Sequence, residues 1–104
     1  MSSKGSKQET QRRHTLKFKA SALEEFKALT QAVKDQFKKK LAERLDNPRV
    51  PSAKLAGQKN RYKIKLKASG YRLVYEVIDD EVVVEVIAVG KRERNAVYKA
   101  AAKR

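Results

Sequence analysis

At 104 residues, with 37% charged and 40% hydrophobic side chains, the chain is sized for one domain around one modest core. Lys and Arg outnumber Asp and Glu by 26 to 12, a formal charge of +14 that points to a polyanionic partner, and no apolar run approaches the ~20 residues of a membrane span. With no cysteine and the single histidine His14, disulfides, thiolate or multi-His metal sites and a Cys nucleophile are all excluded.

Residues 1–15 carry Lys4, Lys7, Arg12 and Arg13 among Ser2, Ser3, Gly5 and Ser6, without apolar periodicity or an apolar leader segment. A flexible basic arm on a cytoplasmic protein is expected there, with His14 idle within it. Leu16-Lys17-Phe18-Lys19 alternates as a short first strand. Ser21, with Glu24 three residues on, makes a capping-box pattern for a helix. Leu23, Phe26, Leu29 and Val33 trace one apolar stripe at helical spacing, and Val33, Phe37, Leu41 and Leu45 trace a second. A break near residues 30–34, at Thr30, folds this stretch into a two-helix hairpin. Asn47-Pro48 stops the second helix, and Pro51 is expected to keep the following chain extended.

Tyr62-Lys63-Ile64-Lys65-Leu66-Lys67 alternates strictly, so a strand over 61–67 sends apolar groups to one face and cations to the other. Ala68-Ser69 before Gly70 predicts a two-residue hairpin turn into a strand over 71–78, with Lys67 facing Gly70 and Lys65 opposite Arg72. That register gathers Lys63, Lys65 and Arg72 on one side, and Tyr62, Ile64, Leu66, Tyr71, Leu73 and Tyr75 on the other. Residues 59–75 hold Lys59, Arg61, Lys63, Lys65, Lys67 and Arg72 without an Asp or Glu, so nothing nearby is expected to neutralise the cationic face.

Asp79-Asp80-Glu81 makes the next turn. Residues 82–89 are β-branched and almost wholly apolar, as a central strand covered on both faces requires, and Gly90 is expected to end it. Glu76 and Glu85 lie on different strands, where they can face each other, and read as structural. Lys91-Arg92-Glu93-Arg94 follows as a charged connection, then residues 95–103 form a short helix containing Val97, Ala100 and Ala101. The expected fold is a small α+β domain: an N-terminal strand, a two-helix hairpin, an antiparallel three-strand meander and a short C-terminal helix.

The runs Tyr62-Lys63-Ile64-Lys65-Leu66, Gly70-Tyr71-Arg72-Leu73-Val74-Tyr75 and Val89-Gly90-Lys91-Arg92-Glu93-Arg94, with Val97-Tyr98, resemble the RelE toxins of bacterial toxin–antitoxin pairs. The resemblance covers residues 16–104 and leaves the first 14 without a counterpart. It implies a ribosome-dependent endoribonuclease that halts translation by cutting messenger RNA in the ribosomal A site. No metal or other cofactor is implied, because the nucleotide's own 2′-hydroxyl attacks the adjacent phosphate and leaves a 2′,3′-cyclic phosphate. The matching catalytic positions are Lys63, Lys65, Arg72, Arg92 and Tyr98. Such a reaction needs a proton acceptor, cations around a phosphate that gains charge, and help for the 5′-oxygen leaving group. Lys65 is the expected base with Lys63 assisting, since like charges crowded on one face favour a neutral amine. Arg72 would stabilise the phosphorane, and Arg92 the leaving oxygen, electrostatically rather than as a true acid. Tyr98 would stack on a base or orient the 2′-hydroxyl.

Lys38, Lys39, Lys40, Lys54, Lys67 and Arg94 are further candidates for gripping RNA or 16S ribosomal RNA phosphates. The implied partners are the ribosome and mRNA, a RelB-like antitoxin, and operator DNA only through the antitoxin complex, with no membrane. One departure is Ala56, where the family pattern carries an arginine before the glycine, which predicts weaker RNA binding with intact chemistry. Relatives that use a Glu and His pair differ too, since the folded region here has no histidine. Two other readings compete: a non-catalytic basic RNA-binding module, in which alternating lysines are a solvated face, and a gyrase-directed toxin on the same scaffold. The complete lysine and arginine set disfavours the second.

Overall fold

The computed structural model describes residues 13–104, and of Arg94 the backbone alone. Its elements are β1 (Thr15–Phe18), α1 (Ala20–Lys27), α2 (Gln31–Asp46), β2 (Arg61–Leu66), β3 (Tyr71–Ile78), β4 (Val83–Lys91) and α3 (Ala96–Ala102). The strands form one sheet in the order β1-β4-β3-β2, with β1 parallel to β4 and the meander β2-β3-β4 antiparallel. This is the α+β arrangement expected from the sequence. No helix among the described residues is long and apolar enough to cross a membrane.

Each face of the sheet has its own core. Phe26 of α1 and Phe37 and Leu41 of α2 pack on Tyr62, Ile64, Leu66, Leu73 and Tyr75, together with Val84, Val86 and Val89 of β4. On the other face Val97 and Ala101 of α3 pack on Val74, Ile87 and Ala88. Strand β4 serves both, which is why its sequence barely alternates. Its register slips against β3, pairing Val74 with Ala88 but Tyr75 with Val86, so Ile87 is an extra residue and joins Ala88 on the α3 side. Glu76 and Glu85 face each other across β3 and β4 as expected. Gly90 does not end β4, because it pairs with Arg72 and the ladder continues to Lys91.

The helix hairpin breaks where expected, with the Thr30 hydroxyl accepting the Val33 N–H at 3.4 Å to cap α2. The start of α1 differs from expectation. The Lys19 N–H still donates to Val86 O at 3.0 Å as the last bond of the β1–β4 ladder, while Lys19 O already accepts the Leu23 N–H at 2.9 Å. Strand therefore passes straight into helix, and Ser21 falls inside the first turn instead of capping it. Ala22 and Phe26 form the buried face of α1, with Leu23 only half-buried. Pro51 opens a short helical turn, Pro51–Ala53, rather than an extended segment, because its fixed φ also suits a first helical position.

Tyr75 ties the layers together. It is fully buried, its hydroxyl donates to Pro48 O at 2.6 Å and accepts from Arg44 at 2.8 Å, and the same Arg44 nitrogen reaches Lys63 O at 3.2 Å. Burial pushes the Tyr75 phenol up, against the opposing pull of Arg44. The end of α2 is thereby fixed to the edge strand β2.

Of the expected arm, residues 1–12 lie outside the described residues. His14, expected to be idle, is packed: its N–H donates to Leu45 O at 2.9 Å, and Nε2 lies 3.9 Å from Asp79. The β1–β4 pairing begins at Thr15 and carries His14 and Arg13 along the end of α2, where Arg13 pairs with Asp46 at 3.2 Å.

Beyond β1 the edge of β4 is closed by side chains. Glu25 accepts the Val89 N–H at 3.0 Å and both Arg104 nitrogens at 2.9 and 3.0 Å, while Arg104 donates to Ile87 O at 3.0 Å. Burial disfavours the Glu25 carboxylate, but Arg104 and the Val89 N–H outweigh it and hold the carboxyl below its ordinary value of 4.5. A carboxyl depressed in the fold adds stability that is present above its unfolded value and lost as pH falls through its folded one. In denaturation measured from about pH 6 to about pH 3, Glu25→Gln should lose stability less steeply than wild type. The gap at neutral pH should be about 1 kcal/mol or less for this partly exposed pair.

Candidate active site

The site grows from the register of β2 against β3. Lys65 pairs with Arg72 and Lys63 with Val74, so Lys63, Lys65 and Arg72 share the α3 side while Ile64 and Leu73 fill the opposite core. The register is the expected one, although the turn is not. The ladder closes at Leu66 and Tyr71, leaving a four-residue loop from Lys67 to Gly70, with the Gly70 N–H on Leu66 O at 2.9 Å. Adding one residue to each arm of a turn leaves the strand pairing unchanged.

The loop brings the next component. Gly70, at φ +78°, turns its carbonyl to accept the Arg92 N–H at 2.9 Å, so the hairpin tip holds the start of the β4–α3 connection. Asn95, at φ 56° and with its N–H on Arg92 O at 2.9 Å, then turns the chain into α3 and delivers Tyr98. The result is a cleft of about 630 Å³ lined by Lys63, Lys65, Arg72, Arg92 and Tyr98 together with Leu55, Glu93 and Asn95. All five residues expected to act together therefore meet in one place.

Arg72 is 9% exposed and donates to Tyr71 O at 3.1 Å, so its stem is immobilised before any ligand arrives. Lys65 and Arg92 are exposed, and Lys63 is half-buried. Tyr98 is half-buried: it packs against the second core and also lines the cleft. Sequence reasoning did not single out Leu55, Glu93 or Asn95. Glu93 lay in plain view inside the Lys-Arg-Glu-Arg run, but nothing in the spacing marks Leu55.

One expectation about charge needs correction. The cationic face is neutralised at one end, because Arg61 pairs with Glu76 directly across the β2–β3 ladder at 2.9 Å. Glu76 lies just past the acid-free stretch, and antiparallel pairing folds it back onto Arg61. Among the described residues no ion pair involves Lys63, Lys65, Arg72 or Arg92.

The five lysines among the other basic candidates do not converge on the cleft. Lys38, Lys39 and Lys40 are exposed on α2, on the opposite side of the sheet, where Lys39 and Lys40 line a separate groove with Lys67. Lys67 also borders a shallow depression shared with Arg92 at the hairpin tip. Lys54 is engaged locally, donating to Gln58 O at 2.7 Å. The side chain of Arg94 lies outside the described residues.

Comparison with known proteins decides the kinship. The family described as the ParE toxin of type II toxin–antitoxin systems matches residues 16–96. The mRNA interferase toxin RelE of Escherichia coli K12 is 56% identical over 89 residues, covering 86% of this chain and 94% of that one. This chain belongs to the RelE/ParE toxin family. A doubly substituted E. coli RelE in the free state superposes with a TM-score of 0.83 at 52% identity, covering 88% of this chain and 97% of that one. E. coli RelE in its intact complex with the antitoxin RelB superposes at 0.75 with 54% identity, over 78% of this chain and 99% of that one. Within the family fold, the cleft sits where the meander and the terminal helix meet.

A methyl group at Gly70 meets nothing within 4 Å, so backbone conformation alone penalises a larger residue there. Gly70→Ala should destabilise the fold by about 1–2 kcal/mol in urea unfolding. The Arg92 amide, which donates to Gly70 O, should exchange faster in the variant.

Proposed function

We propose that this chain is the toxin of a type II toxin–antitoxin pair, a metal-independent endoribonuclease that cuts mRNA in the ribosomal A site. The observation that carries the reading is the meeting of Lys63, Lys65, Arg72, Arg92 and Tyr98 in one cleft, with no carboxylate paired to any of the four cations among the described residues. An RNA phosphate between such side chains meets charge complementarity and no competing salt bridge. The names of the similar proteins, mRNA interferase and RelE in complex with RelB, support the same reading.

In this mechanism the substrate supplies the nucleophile. The 2′-oxygen attacks the adjacent phosphorus and passes its proton to Lys65 acting as base, with Lys63 alongside. Arg72, immobilised by its buried stem, donates to the non-bridging oxygens as they gain charge. The bond from phosphorus to the 5′-oxygen breaks, leaving a 2′,3′-cyclic phosphate upstream. Arg92 stabilises the departing oxyanion while its proton comes from solvent, because a guanidinium barely deprotonates. Tyr98 stacks on an unpaired base, and the ribosome's part is to present a splayed single strand whose 2′-hydroxyl is in line.

Lys38, Lys39, Lys40, Lys67 and Arg94 would add affinity for ribosomal RNA without taking part in the chemistry. A RelB-like antitoxin covering the toxin, with operator DNA bound only through the antitoxin, completes the proposed set of partners in the cytoplasm. A purely RNA-binding role is the rival reading.

The test is cleavage of a short defined mRNA with and without programmed ribosomes. Wild type should cut within the A-site codon only when ribosomes are present. Lys65→Ala and Arg92→Ala should each slow cleavage by about 100-fold or more while binding to ribosomes changes little. Salt-sensitive ribosome binding without any cut would replace the nuclease by the binding module.

A further inference from the structure

Tyr98 can act only if α3 stays where it is, and a seven-residue helix does not hold itself in water. Val97 and Ala101 give it two buried apolar contacts with the sheet. Just past its end Arg104 ties the chain to Glu25 and Ile87 O on the β4 side. On the β2 side a polar attachment comes from Arg61, which lies two positions before Lys63 and on the same side of the sheet. Its Nε donates to Glu76 at 2.9 Å, and its terminal nitrogen donates to the carbonyl oxygen of Ala101 at 2.6 Å. That carbonyl lies in the last turn of α3, where a cation is favoured, and it also accepts the Arg104 N–H at 3.0 Å. The Arg61 side chain is only 16% exposed, so it points into this junction and away from solvent.

We propose that Arg61 is a positioning residue for the cleavage reaction: oriented by Glu76, it clamps the end of α3 to the sheet through Ala101 and so holds Tyr98 over the cleft. The inference rests on the nuclease reading above. Among the described residues Arg61 is the one cation of the Arg61-Lys63-Lys65 row that has an acid partner, and the pairing suits a residue that holds protein rather than RNA. Paired with Glu76, it adds less pull on phosphate, and its Nε and Nη1 already have protein partners.

Single-turnover cleavage on programmed ribosomes tests the clamp, together with amide exchange of residues 96–103. Arg61→Ala should lower kcat about tenfold with KM nearly unchanged, and α3 amides should exchange faster while the β2–β4 amides do not. In a Tyr98→Ala background, Arg61→Ala should cost nothing further, because the two residues act as one unit. Arg61→Ala with Glu76→Ala should remain slow; recovery would show that an unpaired carboxylate, not a lost clamp, caused the defect, and would overturn the proposal. Arg61→Lys, which keeps one donor, should fall between wild type and alanine. A rise in KM with unchanged exchange would make Arg61 an RNA contact, and faster exchange with full activity would show that α3 needs no clamp; either result overturns the proposal. If wild type itself does not cleave, the nuclease reading fails, while the exchange measurement still decides whether Arg61 holds α3.

Discussion

The constraint on which this structure depends is the parity of one hairpin. Side chains alternate across a strand with a period of two, so the register that buries Tyr62, Ile64, Leu66 and Leu73 also forces Lys63, Lys65 and Arg72 together on the other face. A slip of one residue would expose the core and bury the cations at once. Repulsion within the cationic cluster is therefore carried by the packing of the opposite face, and the site cannot relax without disturbing the core. Tyr75 reinforces this lock, since its hydroxyl joins Pro48 and Arg44, and Arg44 in turn holds the backbone of Lys63.

Given that parity, the two halves of the cationic face differ in what covers them. The bulge at Ile87 turns two consecutive side chains of β4, Ile87 and Ala88, toward α3 and makes an apolar seat for Val97 and Ala101. The helix is short enough to cover this seat and no more, so the stretch bearing Lys65 and Arg72 stays open as a cleft. The hairpin tip does the complementary work, fixing Arg92 through the Gly70 carbonyl. One side of the cleft is thus built from strands and the other from the connection into α3. That division explains why a residue such as Arg61, which bridges the two, matters to the geometry.

Most of this was legible in the sequence because it follows from periodicity. Strict alternation in residues 61–66 gave the strand and its two faces, and the unbroken apolar run of β4 announced cover on both sides. What was not legible depends on where separate elements meet. Ser21 had the right chemistry for a cap, but β1 runs into α1 with no loop for a cap to occupy. His14 looked like part of a tail, and only the pairing of Thr15 with Val83 draws it against the body of the protein. Arg61 looked like one more free cation, because Glu76 lies fifteen residues away in sequence and directly opposite in space. The five candidate site residues were read by likeness to a family; alternation alone grouped Lys63, Lys65 and Arg72 but gave no reason to add Arg92 and Tyr98.

The distribution of ion pairs argues that the cleft's charge is a specific feature and not a by-product of a basic composition. Against 26 Lys and Arg the chain has 12 Asp and Glu, so most cations must go without an acid partner, and chance would scatter the pairs. Among the described residues Lys17 with Glu81 is an exposed contact, while four other pairs sit at structural joints. Arg13 with Asp46 fastens the start of β1 to α2, Arg49 with Asp79 braces the loop after α2, and Arg104 with Glu25 closes the edge of β4. Arg61 with Glu76 secures α3. Glu93 reaches the rim of the cleft, yet forms no ion pair there among the described residues. A cluster without an acid partner among the described residues leaves its field acting on whatever enters the cleft, and a phosphate gaining charge in a transition state is the species such a field stabilises most.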